Sequence, residues 1–240
     1  MRLNKYLSRS GVASRRKSDE LIRMAMTTVN NEIILDPAFE VSKNDEIRFD
    51  GKLLKIDKEK VVIAFNKPKH VITSVYDPFN RKIVMDYIKH KKRLVPIGRL
   101  DKDSTGLLLI TNDGDLHHFL THPKNKVIRE YDVIIERVIK PKEINRIKKG
   151  VNIGEGEIGK AQVVNQKTIK ARVQVRLILM QGKKREIRRI FRTLKIKLYD
   201  LKRVSFAGVN LNGLKESEYR ILDKKEITHL KSKFSWNWFF

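Results

Sequence analysis

The spacing of apolar residues changes several times along this chain of 240 residues. Near the N-terminus, Leu3, Tyr6 and Leu7 lie on one face of a predicted helix, and Gly11 is placed to end it. A second helix is predicted after Ser14, a residue type that caps helix N-termini. The first 27 residues therefore predict two short helices.

Short strands and turns follow these two predicted helices. Strands are predicted at 28–29, 32–35 and 45–49. Asp50-Gly51 is a dipeptide typical of a tight hairpin. The charged stretch at 55–60 then indicates a linker, so we expect a small domain at 1–57 and a second domain at 61–240.

The second region alternates strand and helix patterns irregularly. Strands are predicted at 61–66, 106–111, 130–138, 155–165, 171–180 and 197–206. Helices are predicted at 82–91, 114–121, 141–149, 184–194 and 223–233. Segments 130–138 and 172–180 alternate polar and apolar residues, which is typical of antiparallel strands with one solvated face. The pattern predicts an α+β fold, with a mostly antiparallel mixed sheet in the second domain.

The balance of charge narrows the possible partners. The chain has 53 Lys and Arg against 28 Asp and Glu, a formal net charge of +25. Such a charge favours nucleic acid or an anionic membrane surface. No segment combines a basic face with a broad apolar face, so nucleic acid is favoured and membrane binding is not expected.

The absence of cysteine and of long apolar runs restricts both the chemistry and the location. Without cysteine the chain has no disulfides, no thiolate metal ligands and no cysteine nucleophile, which fits a reducing compartment. No run approaches the roughly 18 apolar residues of a membrane span, and MRLNKYLSRSG lacks the apolar core of a signal peptide. We therefore expect a cytoplasmic protein.

Two clusters of basic residues are candidates for contact with phosphates. Residues 1–27 hold seven cations and two anions, whereas 28–57 hold four cations and seven anions. A solvated helix surface is the alternative interpretation, but basic residues at a helix N-terminus favour anion binding. The candidates in the first cluster are Lys5, Ser14, Arg15, Arg16 and Lys17, and those in the second are Lys184, Arg185, Arg189 and Arg192.

A negative segment interrupts this basic chain at 98–116, GRLDKDSTGLLLITNDGDL. It contains four aspartates: Asp101, Asp103, Asp113 and Asp115. An EF-hand loop is excluded because its twelfth position is Asn112 rather than Glu. An aspartyl-phosphate phosphotransferase that uses Mg²⁺ matches Asp-x-Asp-x-Thr, although the preceding segment contains Pro and Arg where an apolar strand is expected. It stays as a weaker alternative.

A third interpretation of the same segment rests on one carboxylate. Gly98 allows unusual backbone angles, Arg99 places a cation close to Asp101, and an apolar strand at 107–110 anchors the loop. A neighbouring cation favours an ionised carboxylate, which suits nucleophilic or proton-abstracting chemistry. The other three aspartates are expected to serve the loop and the following turn and helix.

Motifs along the whole chain resemble one enzyme family. Residues 1–57 resemble an S4 RNA-binding domain through RLNKYLSRSGVASRRKSDELI, with Asn31 where the family commonly has Gly. GRLDKDSTGLLLITNDGDL resembles the catalytic motif of the RsuA-type pseudouridine synthases, which act on bacterial ribosomal RNA. FNKP at 65–68, REYDV at 129–133 and QGKKREIRRI at 181–190 resemble further motifs of that family in the same order. Glu186 departs from the usual Gln, and Gln181 from a frequent Glu.

The resemblance implies a mechanism and a partner. Asp101 is implied as the catalytic group that attacks or deprotonates the ribose, with Arg188 in an ion pair with it, Ile187 against the target base and Tyr131 stacked on that base. By residue type alone, Tyr131 is also a common packing residue and Arg188 a common solvent-facing one. No cofactor and no metal are implied.

The expected partner is ribosomal RNA or a ribosome-assembly intermediate, bound by a monomer. The 95–103 stretch and the Gln-Gly start of the basic helix favour large-subunit 23S over small-subunit 16S RNA. A non-catalytic S4-type RNA-binding or ribosome-assembly factor is the alternative. The final KFSWNWFF predicts an aromatic patch that docks on the body of the protein or on a partner.

Overall fold

The computed structural model describes residues 1–232, which divide into two units. The first unit comprises Met1–Lys60 with Lys91–Arg93, and the second comprises Val61–His90 and the chain from Leu94 onward. The aromatic segment at 233–240, with its predicted docking role, lies outside the described residues. No helix within 1–232 is long and apolar enough to cross a membrane.

The first unit pairs two helices with a small antiparallel sheet. Its elements are α1 (Leu3–Arg9), α2 (Arg15–Arg23), β1 (Thr27–Val29), β2 (Glu32–Ile33), β3 (Ile47–Phe49) and β4 (Lys52–Leu53). The strand order is β2-β1-β3-β4. Ser14 caps α2 by accepting a hydrogen bond from the Lys17 backbone N–H at 3.2 Å. Asp50 and Gly51 both have positive φ and join β3 to β4, so the predicted tight turn is confirmed.

The second unit is built around a mixed sheet. Its strands are β5 (Val62–Lys67), β6 (Val95–Pro96), β7 (Thr105–Thr111), β8 (Arg129–Ile135), β9 (Val151–Asn152), β10 (Ile158–Gly159), β11 (Gln162–Ile169), β12 (Arg172–Leu179), β13 (Leu198–Phe206), β14 (Val209–Asn210) and β15 (Tyr219–Ile221). The main sheet has the order β11-β12-β8-β13-β7-β5-β15, with β6 on β7 and β14 on β13, while β9 and β10 form a separate pair. Only the β7–β13 pair is parallel among the pairings of the described residues, so the predicted α+β class and mostly antiparallel sheet are confirmed.

Helices cover this sheet, which is buried on both faces at its centre. They are α3 (Gly114–Thr121), α4 (Pro141–Lys149), α5 (Glu186–Thr193) and α6 (Lys224–Ser232), with short 3-10 turns at Val84–Tyr87 and Pro123–Asn125. Along β5, Ile63 and Phe65 join one hydrophobic cluster, whereas Val62 and Ala64 join another. Because side chains alternate along a strand, the two clusters lie on opposite faces of β5.

Two predicted elements take another form. The helix predicted at 82–91 is only the 3-10 turn at Val84–Tyr87, because Ile83 immediately before it is extended and bridges to Ile72. The strand predicted at 155–165 is divided into β10 and β11. β10 pairs with β9 whereas β11 pairs with β12, so the chain changes partner between them.

Candidate active site

The candidate site is carried by the loop that joins β6 to β7. Gly98 has φ +68°, a left-handed conformation that favours glycine. The Ile97 N–H donates to the Leu109 carbonyl at 2.7 Å, and the Ser104 N–H donates to the Asp101 carbonyl at 3.1 Å. The loop then enters β7, which is buried along its whole length. Asp101 is therefore presented by a folded turn at the start of a central strand.

The side chain of Lys67 stabilises this loop by hydrogen bonds to its backbone. This side chain is fully buried, and Nζ donates to the carbonyls of Pro68 at 2.9 Å, Ser104 at 2.8 Å and Lys102 at 3.3 Å. Burial lowers the pKa of Lys67 to about 8, although nearby carboxylates oppose that shift. In the sequence, Lys67 stands out only as part of FNKP, which resembles a family motif, and no role in the site is predicted for it. The available signal was a lysine at the end of a strand that begins with four apolar residues and is buried throughout.

Gly106 lets β7 approach its parallel neighbour. It has φ +99°, and a Cβ atom at this position would lie 2.2 Å from the Arg203 carbonyl oxygen on β13. That separation is far below van der Waals contact, so a larger residue would force the two strands apart. The glycine therefore fixes the distance between the Asp101 loop and β13.

Arg188, in the first turns of α5, provides the cation next to Asp101. Its Nε lies 3.6 Å from Asp101 Oδ2, with about a third of the Asp101 side chain exposed. Its Nη2 donates to the Asp103 carbonyl at 3.0 Å and to Ser104 Oγ at 3.3 Å. At 3.6 Å the carboxylate and guanidinium form an ion pair without a hydrogen bond. Asp101 therefore keeps its lone pairs while facing a fixed positive charge.

The other predicted support residues line one cleft together with Asp101. Tyr131 on β8 and Ile187 on α5 form part of its wall, and each is at least nine-tenths buried. Arg99 also lines the cleft but is exposed. Within the described residues Arg99 makes no ion pair with Asp101; the cation that pairs with Asp101 is Arg188, the residue that the family resemblance implied.

Two further arginines, the buried Arg203 and the partly buried Arg129, also line this cleft and were not predicted as site residues from the sequence. Arg203 Nε donates to the Leu107 carbonyl at 2.7 Å, and Arg129 Nη1 donates to the Val127 carbonyl at 2.9 Å. Both guanidinium carbons lie near the Phe206 ring centroid, at 4.7 Å for Arg203 and 5.1 Å for Arg129. Burial lowers the pKa of Arg129 from its usual value. The two guanidinium groups therefore add positive charge to the lining of the cleft.

The two departures from the family pattern, Glu186 and Gln181, are in contact. Glu186 is almost fully buried, and its carboxylate accepts hydrogen bonds from the backbone N–H groups of Gly182, Lys183 and Lys160 at 3.0–3.1 Å. With its amide nitrogen turned toward this group, Gln181 donates to Glu186 Oε1 at 2.9 Å. Glu186 therefore fixes the turn that begins α5, and Gln181 is its uncharged neighbour.

The basic residues predicted along α5 have different surroundings. Arg185, Arg188, Arg189 and Arg192 line a groove with Ile196 and Leu198, and Lys184 is exposed nearby in the chain. Arg189 is mostly buried: it pairs with Glu157 and Glu155 and donates to the carbonyls of Ile153 and Gly154. These contacts favour a structural role for Arg189 over the phosphate contact that sequence analysis expected.

The predicted phosphate contacts of the first unit lie on its helices. Arg15 and Arg16 are exposed in the first turn of α2, where Lys17 pairs with Glu20 at 2.7 Å. The Ser14 hydroxyl already caps that helix, and Lys5 on α1 is half-buried. Arg15 and Arg16 are therefore the most available of this group.

The remaining aspartates of the 98–116 segment have local roles. Asp113 caps α3 by accepting from the backbone N–H groups of Asp115 and Leu116, at 3.0 and 3.2 Å. Asp103 is exposed and lies 3.5 Å from His70 Nδ1. Within residues 1–232, no group of three or more His, Asp or Glu side chains is arranged to hold a metal ion.

Comparison with known proteins places these features in a family. Residues 1–47 match the S4 domain, and residues 61–193 match the family described as RNA pseudouridylate synthase. Ribosomal large subunit pseudouridine synthase B of Bacillus subtilis is 36% identical over 236 residues, which cover 96% of each chain. The dual-specificity RNA pseudouridine synthase RluF of Escherichia coli is 34% identical, over 96% of this chain and 78% of RluF.

A solved structure agrees with both the fold and the family. A crystal structure of a pseudouridylate synthase superposes with a TM-score of 0.69 at 28% identity, covering 96% of this chain and 99% of the other. Fold and site thus define an RNA-modifying enzyme that carries an S4 domain. The chain belongs to the RsuA-type family of RNA pseudouridine synthases. These matches give no support to the non-catalytic RNA-binding protein or the phosphotransferase kept as alternatives.

Proposed function

We propose that this enzyme converts a specific uridine of large-subunit ribosomal RNA into pseudouridine, with Asp101 as the reactive carboxylate. The observation that carries this proposal is the fixed position of Asp101 opposite Arg188, in a cleft lined by Tyr131 and Ile187. The relative in Bacillus subtilis, which is named for the large ribosomal subunit, supports the choice of RNA. The reaction is an isomerisation: the bond from ribose C1′ to uracil N1 breaks, a bond from C1′ to C5 of the same uracil forms, and the proton lost from C5 is balanced by one gained at N1.

The proposed roles follow from where each side chain lies. Asp101 attacks or deprotonates the ribose while the Arg188 guanidinium, 3.6 Å away, holds the carboxylate in place. Tyr131 and Ile187 confine the released base between a ring and an aliphatic side chain. The guanidinium groups of Arg129 and Arg203, which line the cleft, favour negative charge that develops on the uracil as it leaves. No external oxidant or reductant is required because substrate and product are isomers.

Binding is assigned to both domains, which we take as 1–57 and 61–240. Arg15 and Arg16 on α2 contact phosphates of one RNA segment. Arg185, just before α5, and Arg192, on α5, contact phosphates close to the cleft. The target uridine must leave its helix or loop, at a cost of a few kcal/mol that these contacts offset. We propose that the enzyme acts as a monomer in the cytoplasm, where ribosomal RNA is assembled into subunits.

The direct test is a map of pseudouridine in ribosomal RNA from cells with and without this gene. We expect one position, or a small group of neighbouring positions, in the large-subunit RNA to lose its pseudouridine in the deletion strain and to regain it with the wild-type gene. Loss in small-subunit RNA alone would contradict the choice of RNA. An unchanged map of both RNAs would contradict the proposed function.

A further inference from the structure

A closed loop at 70–84 is fastened to the backbone on both sides of Asp101. The His70 N–H donates to the Lys102 carbonyl at 2.8 Å. Thr73 Oγ1 donates to the Leu100 carbonyl at 2.8 Å and accepts from the Leu100 N–H at 3.2 Å. The base of this loop is therefore fixed next to the reactive carboxylate.

The tip of the loop, residues 74–82, is held in one conformation by Asp77. Its carboxylate accepts from the backbone N–H groups of Phe79 and Arg81, at 3.1 and 3.0 Å, and pairs with the Arg81 guanidinium at 2.6 Å. The Ile72 N–H donates to the Lys82 carbonyl at 2.9 Å and closes the base. The hydrogen bonds from Arg81 lower the pKa of Asp77 to about 2. The Asp77 carboxylate therefore keeps these contacts at neutral pH.

This ordered tip presents two aromatic side chains to solvent. Tyr76 is 73% exposed and Phe79 is 74% exposed. The Arg81 guanidinium lies 5.0 Å from the centroid of Phe79, so it covers one face of the ring and leaves the other open. Aromatic rings held outward on a rigid loop have no packing role inside this unit, which indicates that a partner covers them.

We propose that Tyr76 and Phe79 form a stacking platform for unpaired bases next to the target uridine. The inference rests on the proposed function and extends it to recognition of the flanking nucleotides. Tyr76 follows Thr73 by only three residues, so its Cα lies within about 11 Å of the residue bonded to Leu100. Bases that flank a uridine bound at Asp101 are therefore within reach of the platform.

The chemistry of the platform fits RNA better than a protein surface. Single-stranded bases stack on aromatic rings and on guanidinium planes, and Phe79 with Arg81 offers both. Residues 61–240, which include the loop, contain 40 Lys and Arg against 18 Asp and Glu. This excess of positive charge attracts phosphates to the domain that carries the loop. Stacking of the neighbours would stabilise RNA from which the target base has been extruded.

Kinetics with alanine variants separate recognition from chemistry. The substrate is ribosomal RNA purified from cells that lack the gene. We expect Tyr76→Ala and Phe79→Ala each to raise KM about tenfold while kcat stays within about twofold. Phe79→Trp should restore KM, since any large ring can stack. Val164→Ala, on an exposed residue of β11, is the matched control and should change neither constant.

Three kinetic results would overturn the proposal. They are an unchanged KM in the double variant Tyr76→Ala/Phe79→Ala, a fall in kcat without a change in KM, and a failure of Phe79→Trp to recover binding. A shift in the sedimentation coefficient of the free protein on double substitution would also overturn it, because it would show that the rings contact a second copy of the chain.

A fluorescence measurement of base stacking tests the platform separately from the proposed function, because it does not depend on catalysis. The probe is a single-stranded RNA with 2-aminopurine on either side of one uridine, whose fluorescence is quenched when the base stacks. We expect quenching with the wild-type protein and its loss in the double variant. If the wild type quenches this probe but forms no pseudouridine in ribosomal RNA, the proposed function fails while the platform stands. Equal quenching by the double variant overturns the platform.

Discussion

The two units of this enzyme carry their positive charge in different ways. Residues 1–60 contain 13 Lys and Arg against 10 Asp and Glu, whereas residues 61–240 contain 40 against 18. Residues 1–60 are nearly balanced, and their excess positive charge lies in residues 1–27, which carry both helices. Residues 61–240 are strongly basic, yet their cleft, lined by several arginines, also contains the reactive Asp101 and the buried Glu186.

The difference suggests a division of work between the units. A nearly balanced N-terminal segment with a few exposed arginines contributes position rather than bulk affinity, because counterion release scales with the number of phosphates that are contacted. The larger unit supplies most of the attraction to RNA and all of the proposed chemistry. Substitutions in the two units should therefore change different measured quantities.

Apart from substitution of Asp101 itself, the largest effect is expected at Arg188. Arg188→Gln removes the cation 3.6 Å from Asp101 and weakens the contacts to Asp103 and Ser104. We expect kcat to fall by about 10²–10³-fold, the usual cost of losing one preorganised electrostatic partner. RNA affinity, measured by filter binding, should fall by much less.

Arg146→Gln is the matched control for Arg188, since Arg146 is exposed on α4. It removes one positive charge from the same unit and should leave kcat unchanged. A kcat for Arg188→Gln within about threefold of wild type would show that the ion pair is incidental to the chemistry.

A smaller effect is expected from Lys67, and it depends on pH. The pKa of Lys67 is about 8 in the folded protein and 10.5 without its surroundings, because burial disfavours the charged form. Between these values the unfolded chain binds the proton and the folded chain releases it, so this group stabilises the fold as pH rises. The gain reaches about 3 kcal/mol at most and is absent below pH 8.

The measurement compares urea unfolding of wild type and Lys67→Met from pH 7 to 10.5. The free energy of unfolding of wild type should rise relative to that of the variant across this range. Lys142→Met, on an exposed residue of α4, should track wild type. At pH 7 the Lys67 variant should also lose activity, because three carbonyls around the Asp101 loop lose their donor. If the difference in unfolding free energy between wild type and Lys67→Met stays constant from pH 7 to 10.5, the pKa of Lys67 is not lowered by burial.

The smallest effect is expected in the first unit. Arg15→Gln/Arg16→Gln should weaken RNA binding about tenfold and reduce the slope of log affinity against log salt by about 1.5, as expected for two lost phosphate contacts. The kcat at saturating RNA should stay unchanged. Lys52→Gln/Lys55→Gln removes two exposed lysines from the strand side of the same unit. If this control lowers the slope equally, the charge on the helices has no special role.

The sequence predicts the elements that local patterns determine. Ser14, Asp113 and the Asp50-Gly51 turn act within a few residues of themselves, and the structure shows the caps and the turn that their residue types indicate. The alternation along β8 and β12 likewise predicts strands that bury every second side chain. These features need no knowledge of distant parts of the chain.

Features that depend on distant contacts were missed. The role of Lys67 depends on carbonyls some 35 residues further along the chain, and Arg203 reaches Leu107 across 96 residues. Gly106 matters because of the backbone of Arg203, which no local pattern around either residue indicates. The helix predicted at 82–91 was wrong for the same reason, since Ile83 is drawn into a bridge with Ile72.

The role of Asp101 is tested most directly by the activity of Asp101→Asn on ribosomal RNA from cells that lack the gene. The amide keeps the size of the side chain but removes its negative charge and its nucleophilicity. We expect no detectable pseudouridine, with RNA affinity within about twofold of wild type. Pseudouridine formation at the wild-type rate would contradict the central claim that Asp101 carries the chemistry.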